Sequence, residues 1–412
     1  MQRVAKQLGE YRILAQLAKG GQSTVYLAAR SGPHGFFRPV VIKAIPDDFK
    51  GKPRLEALFY QEATLSSRFS HPHVVTVHDA KRAGDDHFMV MDYVAGQTVA
   101  DLAQRAFAAG QGITLEETLL ILADACRGLE YVHTFQAVEG REFNIVHCDI
   151  SPQNLMVTYS GLTRVFDFGI SQVLGHTDSS STELVGGKYA YMSPEQCRDE
   201  ELDTRSDIFS LGIILYELAT GQRLFRRKGE EAVREAILNE PIEAPSKLAG
   251  HLNEEIDRVI LKALARDRDQ RYQSAADLEE DIQQLLSKQG VRRDELRNRL
   301  GQKVSELFGD ERAKVGQILD EARGEMAAQD GSLQESADKE SSKREAKLKA
   351  QLAEVQEEAD DLRRKAQRAT EVASALSREV KNLQKRQHWL TFALFAMSMV
   401  AVAVAGVAFL SQ

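Results

Sequence analysis

The run His147-Cys148-Asp149-Ile150-Ser151-Pro152-Gln153-Asn154, continued by Leu155-Met156-Val157 and then by Asp167-Phe168-Gly169, carries the strongest local pattern in the chain. It offers one carboxylate that can accept a hydroxyl proton, an asparagine, and a second carboxylate. Those groups are the base and the two metal ligands that phosphoryl transfer draws on. Mg2+ takes few protein oxygens and fills its other positions with phosphate and water, so Asn154 and Asp167 suffice to hold it.

Moving N-terminally, the next apolar strand is Val40-Val41-Ile42-Lys43. A lysine closing such a strand is ordinarily a solvated strand end. It gains meaning from an acidic partner, and Glu62 supplies one within a helical stretch expected from Arg54 to Phe69. Earlier still, Leu14 to Ala28 alternates like a strand, turns at Lys19-Gly20-Gly21-Gln22-Ser23 and resumes at Val25-Tyr26-Leu27. Two strands joined by a glycine turn can lay backbone N–H groups against phosphate oxygens, although such turns are common.

Composition limits the alternatives. The chain has 412 residues and a net charge of −8, which gives no basis for a nucleic-acid partner. Cys126, Cys148 and Cys197 lack the spacing of a zinc or redox motif and read as reduced thiols. The first ten residues have no apolar core of signal-peptide length, so the N-terminal part is expected in the cytoplasm.

Taken together, the motifs are similar to those of the eukaryotic-type (Hanks-type) protein kinases, in their bacterial form. The resemblance covers about residues 11–286. The Gly-rich loop resembles Lys19 to Val25, and the strand lysine and its helix partner resemble Lys43 and Glu62. The hinge resembles Met91-Asp92-Tyr93-Val94, with Met91 as gatekeeper. Tyr191-Met192-Ser193-Pro194-Glu195 resembles the end of the activation segment. Asp207 resembles the aspartate that anchors the catalytic loop, and Arg271 the arginine that pairs with Glu195. The resemblance implies a bilobal α+β fold, with a small β-rich lobe covering ATP and a large helical lobe carrying the catalytic loop. It implies an ATP site formed by Lys19, Gly20, Gly21, Gln22, Ser23, Val25, Val41, Lys43, the hinge residues and Leu155, with Mg2+ on Asn154 and Asp167. Asp149 would accept the proton of a serine or threonine hydroxyl on a protein substrate, the chain itself included. Lys43 would hold the α- and β-phosphates, steadied by Glu62, and His147 would pack on Phe168.

Four positions depart from the family pattern. Ala18 and Ser23 replace the outer glycines of the loop, which restricts it. Cys148 replaces an arginine that in relatives receives an activation-loop phosphate; a thiol cannot pair with phosphate. Strict dependence on phosphorylation between Ser171 and Lys188 is therefore not expected. Ser151 replaces the lysine that neutralises the transferring phosphoryl group, and Lys188 stands in Gly187-Lys188-Tyr189 where relatives have no lysine. Lys188 is accordingly a candidate catalytic residue that supplies the missing charge.

Three C-terminal regions follow. Residues 287–340 read as an amphipathic helical linker, with Leu300, Val304, Leu307, Val315 and Leu319 as apolar positions and a flexible break at Gly331–Ser342. Residues 341–387 space Leu348, Leu352, Val355, Ala359, Leu362, Ala366, Ala369, Ala373, Leu376, Val380 and Leu383 by alternating threes and fours, the pattern of a coiled coil and hence of a homodimer. Residues 389–410 carry no charge, and a helix of about 22 residues spans roughly 33 Å. With Lys381, Lys385 and Arg386 before it, this segment is expected to cross a lipid bilayer once as a C-terminal tail anchor, the catalytic domain remaining cytoplasmic. The sequence thus favours a membrane-associated signalling kinase. The competing readings are a pseudokinase scaffold acting through its coil and tail, disfavoured because the catalytic set is complete, and a small-molecule kinase, disfavoured by the peptide-binding activation segment. Tyrosine specificity is disfavoured because no Ala-Arg or Arg-Ala pair lies between Asp149 and Asn154.

Overall fold

Strand β1 (Gln2–Leu8) opens the small lobe, followed by β2 (Tyr11–Lys19), β3 (Thr24–Gly32) and β4 (Phe36–Ala44). The computed structural model describes residues 2–19, 23–45, 51–136, 145–168 and 189–409, with the side chains of residues 2, 3, 5, 33, 329–340 and 402–409 outside the description. After helix α1 (Pro53–Ser66), strands β5 (Val77–Ala83) and β6 (Asp86–Asp92) complete an antiparallel sheet in the order β1-β2-β3-β4-β6-β5. The folded unit therefore begins before residue 11, because β1 adds an edge strand to β2.

Side chains alternate across this sheet, as a strand's two-residue period requires. Val40 and Ile42 turn to one face and bury with Leu8, Tyr11, Ile13, Ala28, Phe88 and Val90. Val41 and Lys43 turn to the other. The β3–β4 register pairs Val25 with Lys43 and Leu27 with Val41, so one face carries Val25, Leu27, Val41 and Lys43 together. Beneath it, Ala63 of α1 packs with Val77 and Met89.

The large lobe follows. A three-stranded sheet joins β7 (Gly96–Thr98), β8 (Leu155–Thr158) and β9 (Thr163–Val165). Around it lie α2 (Val99–Ala108), α3 (Leu115–His133), α4 (Pro194–Cys197), α5 (Arg205–Thr220), α6 (Glu230–Asn239), α7 (Pro245–Leu248), α8 (Glu254–Ala263) and α9 (Ala275–Lys288). Thr114 and Glu117 form a capping box at the start of α3, as Ser274 and Asp277 do at α9. Both α3 and α5 are buried along most of their length in the main core.

Helices α10 (Arg293–Leu307) and α11 (Gly309–Phe409) depart from the expected linker. The compact unit runs to Asp330, and the start of α11 lies inside it. Leu296, Leu300 and Val304 are buried in the large-lobe core, and Val315, Ala322 and Met326 are buried against the small lobe. The predicted apolar stripes are therefore docking faces of the folded domain.

The second unit spans Gly331–Gln412. The flexible break expected at Gly331–Ser342 is not present: helix continues through it, since the segment holds no proline and its Ser, Asp and Glu residues cost a helix only modestly. The seam residues Leu348, Leu352, Val355, Leu362, Leu376, Val380 and Leu383 are all exposed. Among the described residues no helix is long and apolar enough to cross a membrane. The expected span lies partly outside the described residues. Within it, the large apolar side chains from Trp389 to Val400 are exposed.

Candidate active site

The loop that decides the sequence reading is held by backbone hydrogen bonds to one buried carboxylate. Asp207, at the start of α5, accepts the N–H of His147 at 2.8 Å and that of Cys148 at 2.9 Å, and His133 Nε2 lies 2.8 Å from it. Those bonds hold Cys148 at φ 65°, an unusual conformation for a residue with a side chain. From the other side, Gln196 of α4 donates its amide N–H to the Cys148 carbonyl at 2.8 Å. The Cys148 thiol is buried, and its pKa is pushed well up by burial and by the nearby Asp207 and Asp149 carboxylates. It is a neutral thiol in this site.

Asn154 is nearly buried, and its Nδ2 donates to the Asp149 carbonyl at 2.7 Å and to Asp149 Oδ2 at 2.9 Å. The amide nitrogen is spent on fixing Asp149, which leaves the amide oxygen as the end available to a cation. The Asn154 carbonyl accepts the Phe166 N–H at 3.1 Å, tying the loop to the strand that leads into Asp167. His147 packs on Phe168 with ring centroids 4.6 Å apart, so it braces the site rather than reacting in it.

Lys43 reaches down from β4 to Glu62 of α1 at 3.7 Å and hydrogen-bonds Asp167. Asp167 lies at φ 65°, a second strained residue in the same site. Burial works against the Lys43 charge, but Asp167 and Glu62 outweigh it and hold the ammonium protonated well above its usual range. Glu62 is pushed up to about 7 by burial, with Asp167 and Asp149 reinforcing the rise against the pull of Lys43. The two shifts have different causes: neighbouring carboxylates keep the proton on Lys43, whereas burial above all raises the affinity of Glu62 for one.

Above the site, Val25 and Val41 share the Lys43 face; below it, Leu155 is buried at the start of β8. Strand β6 delivers Met91 and Asp92 to the hinge, Met91 partly buried beside Met89. Asp92 is drawn outward by His78 at 2.7 Å, Arg38 at 3.4 Å and Arg164 at 3.6 Å. Tyr93 packs with α11, and Val94 is buried. Lys19 ends β2 exposed and Ser23 is partly buried. Gly20, Gly21, Gln22 and Lys188 lie outside the described residues. The Ser151 hydroxyl is buried and, among the described residues, has no hydrogen-bond partner.

The activation-segment end is fixed by a buried ion pair. Glu195 accepts two bonds from Arg271, at 2.7 and 2.8 Å, while the remaining Arg271 donors reach the carbonyls of Ala265, Arg205 and Arg266. Sequence reading anticipated this pair and the Asp207 anchor. It missed the Gln196 bond, the Asp92 network and the docking of Tyr93 on α11, because none of these has a local pattern.

The residues fit a magnesium-bound triphosphate. One amide oxygen and one carboxylate, with Lys43 beside them, suit a hard cation that arrives with phosphate ligands. Among the described residues no group of three or more His, Cys, Asp or Glu is placed to hold a metal ion by itself.

The protein kinase domain family model matches residues 11–288. The chain belongs to the protein kinase family. It is 37% identical over 279 residues to the tyrosine-protein kinase MasK of Myxococcus xanthus, covering 68% of this chain and 43% of that protein. It is 34% identical over 278 residues to the serine/threonine-protein kinase PknB of Mycolicibacterium smegmatis, covering 66% and 42%. The chain thus spans about two-fifths of the length of these curated relatives. Among solved structures, the kinase domain of Mycobacterium tuberculosis PknI superposes with a TM-score of 0.51 over 68% of this chain and 97% of that one, at 22% identity, a likeness of fold.

Proposed function

We propose that the chain transfers the terminal phosphoryl group of Mg·ATP to serine or threonine hydroxyls of proteins. The observation that carries this reading is the convergence of Lys43, Glu62 and Asp167 beside an Asp149 fixed by Asn154. Asp149 orients the acceptor hydroxyl and takes its proton. Asn154 and Asp167 hold the magnesium ion. Lys43 holds the α- and β-phosphates, and Glu62 keeps its ammonium in place. Bound Mg·ATP supplies the phosphoryl group and the charge that neutralises it.

Lys188 is assigned the charge that Ser151 does not provide. The Ser151 hydroxyl, buried and without a hydrogen-bond partner among the described residues, supports this reading, since a nearby ammonium would give it a donor. The uncharged segment 389–410 is assigned to a single crossing of a lipid bilayer, a reading supported by the exposed apolar side chains between Trp389 and Val400.

The test is transfer from Mg·ATP to Ser/Thr and Tyr peptides by the wild type, Asp149→Asn and Lys188→Met. Phosphoserine or phosphothreonine should appear with the wild type alone, because loss of the positioned base costs about a hundredfold or more. Phosphotyrosine as the main product would move the chain to the specificity named for MasK. Full turnover by Lys188→Met would remove the lysine from the reading.

A further inference from the structure

The segment after residue 288 touches both walls of the nucleotide site. On the small lobe, Val315, Ala322 and Met326 are buried with Leu14, Ala15, Leu27 and Ala29. Leu27 shares its face of β3 with Val25, whose register partner is Lys43, so this contact lies on the inner surface that covers the nucleotide. Tyr93 of the hinge packs into the same cluster. On the large lobe, α10 meets the β8–β9 turn through two glycines. A side chain at Gly301 would fall 2.7 Å from the Tyr159 carbonyl, and one at Gly161 would fall 2.0 Å from the Arg297 carbonyl. That hairpin carries Leu155 and runs into Asp167.

Charge ties the same segment down. Asp124 of α3 is fully buried and accepts from Arg293 at 2.7 Å and Arg297 at 3.0 Å. Lys303 pairs with the buried Glu117 at 2.5 Å. Without α10 these carboxylates would lose their cations inside the fold, a costly state. The segment is therefore part of the catalytic unit.

We infer that residues 293–326 are a positioning element for nucleotide binding, holding roof, hinge and floor of the ATP site in one alignment. Kinase lobes open and close around nucleotide, and an element bridging them sets the fraction of molecules aligned to bind. This inference rests on the kinase reading above, and its test reads nucleotide binding rather than transfer.

The experiment uses the full chain and measures binding of the fluorescent probe mant-ADP with Mg2+, alongside KM for ATP and kcat. Val315→Asp breaks the roof contact without touching the nucleotide. If the aligned fraction falls to about a tenth, the apparent Kd and KM rise about tenfold while kcat at saturation stays within about threefold. Glu325→Arg places like charge against Arg12, at a surface ion pair whose loss leaves the core intact. It should weaken mant-ADP binding about two- to threefold, and Arg12→Glu added to it should restore the wild-type value. Hydrogen exchange at Leu14–Lys19 reports detachment. Detachment with mant-ADP binding unchanged, or no restoration by the double variant, overturns the inference. A wild type that binds no mant-ADP counts against the kinase reading instead.

Discussion

Glu62 is the residue on which the state of the site turns. Burial and two neighbouring carboxylates raise its pKa to about 7, while Lys43 pulls it down too weakly to prevent the rise. The sign is set by the direction of the shift. Above about 7 the group is ionised and restrains Lys43; as pH falls through 7 it becomes neutral and the restraint is lost. KM for ATP should therefore be level above about pH 7.5 and rise severalfold by about pH 6, whereas Glu62→Gln should bind ATP more weakly than the wild type above about pH 7, converge with it near pH 6 and show no such step. Steady-state kinetics across this range, with both proteins at saturating Mg2+, checks it. An identical pH profile for the two would assign the titration elsewhere. At this scale the sequence was informative. Lys43, Glu62, Asp149, Asn154, Asp167, Asp207, Glu195 and Arg271 stand in ordered motifs, and the structure places Lys43 with Glu62 and Asp167, Asn154 with Asp149, and Glu195 with Arg271. What spacing could not supply was strain: Cys148 and Asp167 both lie at φ 65°, a consequence of long-range anchoring by Asp207 and Lys43.

Among the elements, α10 and the head of α11 separate what periodicity reveals from what it hides. Their apolar positions were legible, but an amphipathic stripe states only that a face will be buried, not against what. Val315 is buried in one cluster with Leu14 and Leu27, some three hundred residues earlier in the chain. Strand β1 was missed for a related reason, since a short edge strand with Lys6 and Gln7 in it carries little pattern. The later part of α11 shows the converse. Its heptad seam is exposed, with Leu362 65% accessible, a stripe of the kind a second copy would cover in a coiled coil. A parallel pair of helices would raise the local concentration of one catalytic domain near another and favour autophosphorylation in trans. Leu362→Pro interrupts the seam and should lower the initial rate of autophosphorylation severalfold at nanomolar protein, with little change at micromolar concentration. Equal rates at both concentrations, measured by phosphate incorporation, would count against pairing through this helix.

At the scale of the whole molecule, the account depends on two lobes meeting around Mg·ATP. Binding is assigned to Lys43, Asn154 and Asp167, and proton acceptance to Asp149, so a substitution at Asp149 should separate the two. The most direct test measures both quantities on one preparation: the Kd for Mg·ATP by calorimetry and single-turnover transfer to a serine peptide, for the wild type and Asp149→Asn. The account predicts Kd values within about twofold and a transfer rate lower by about a hundredfold or more in the variant. Transfer by Asp149→Asn at the wild-type rate, or no transfer by a wild type that binds Mg·ATP, would contradict it.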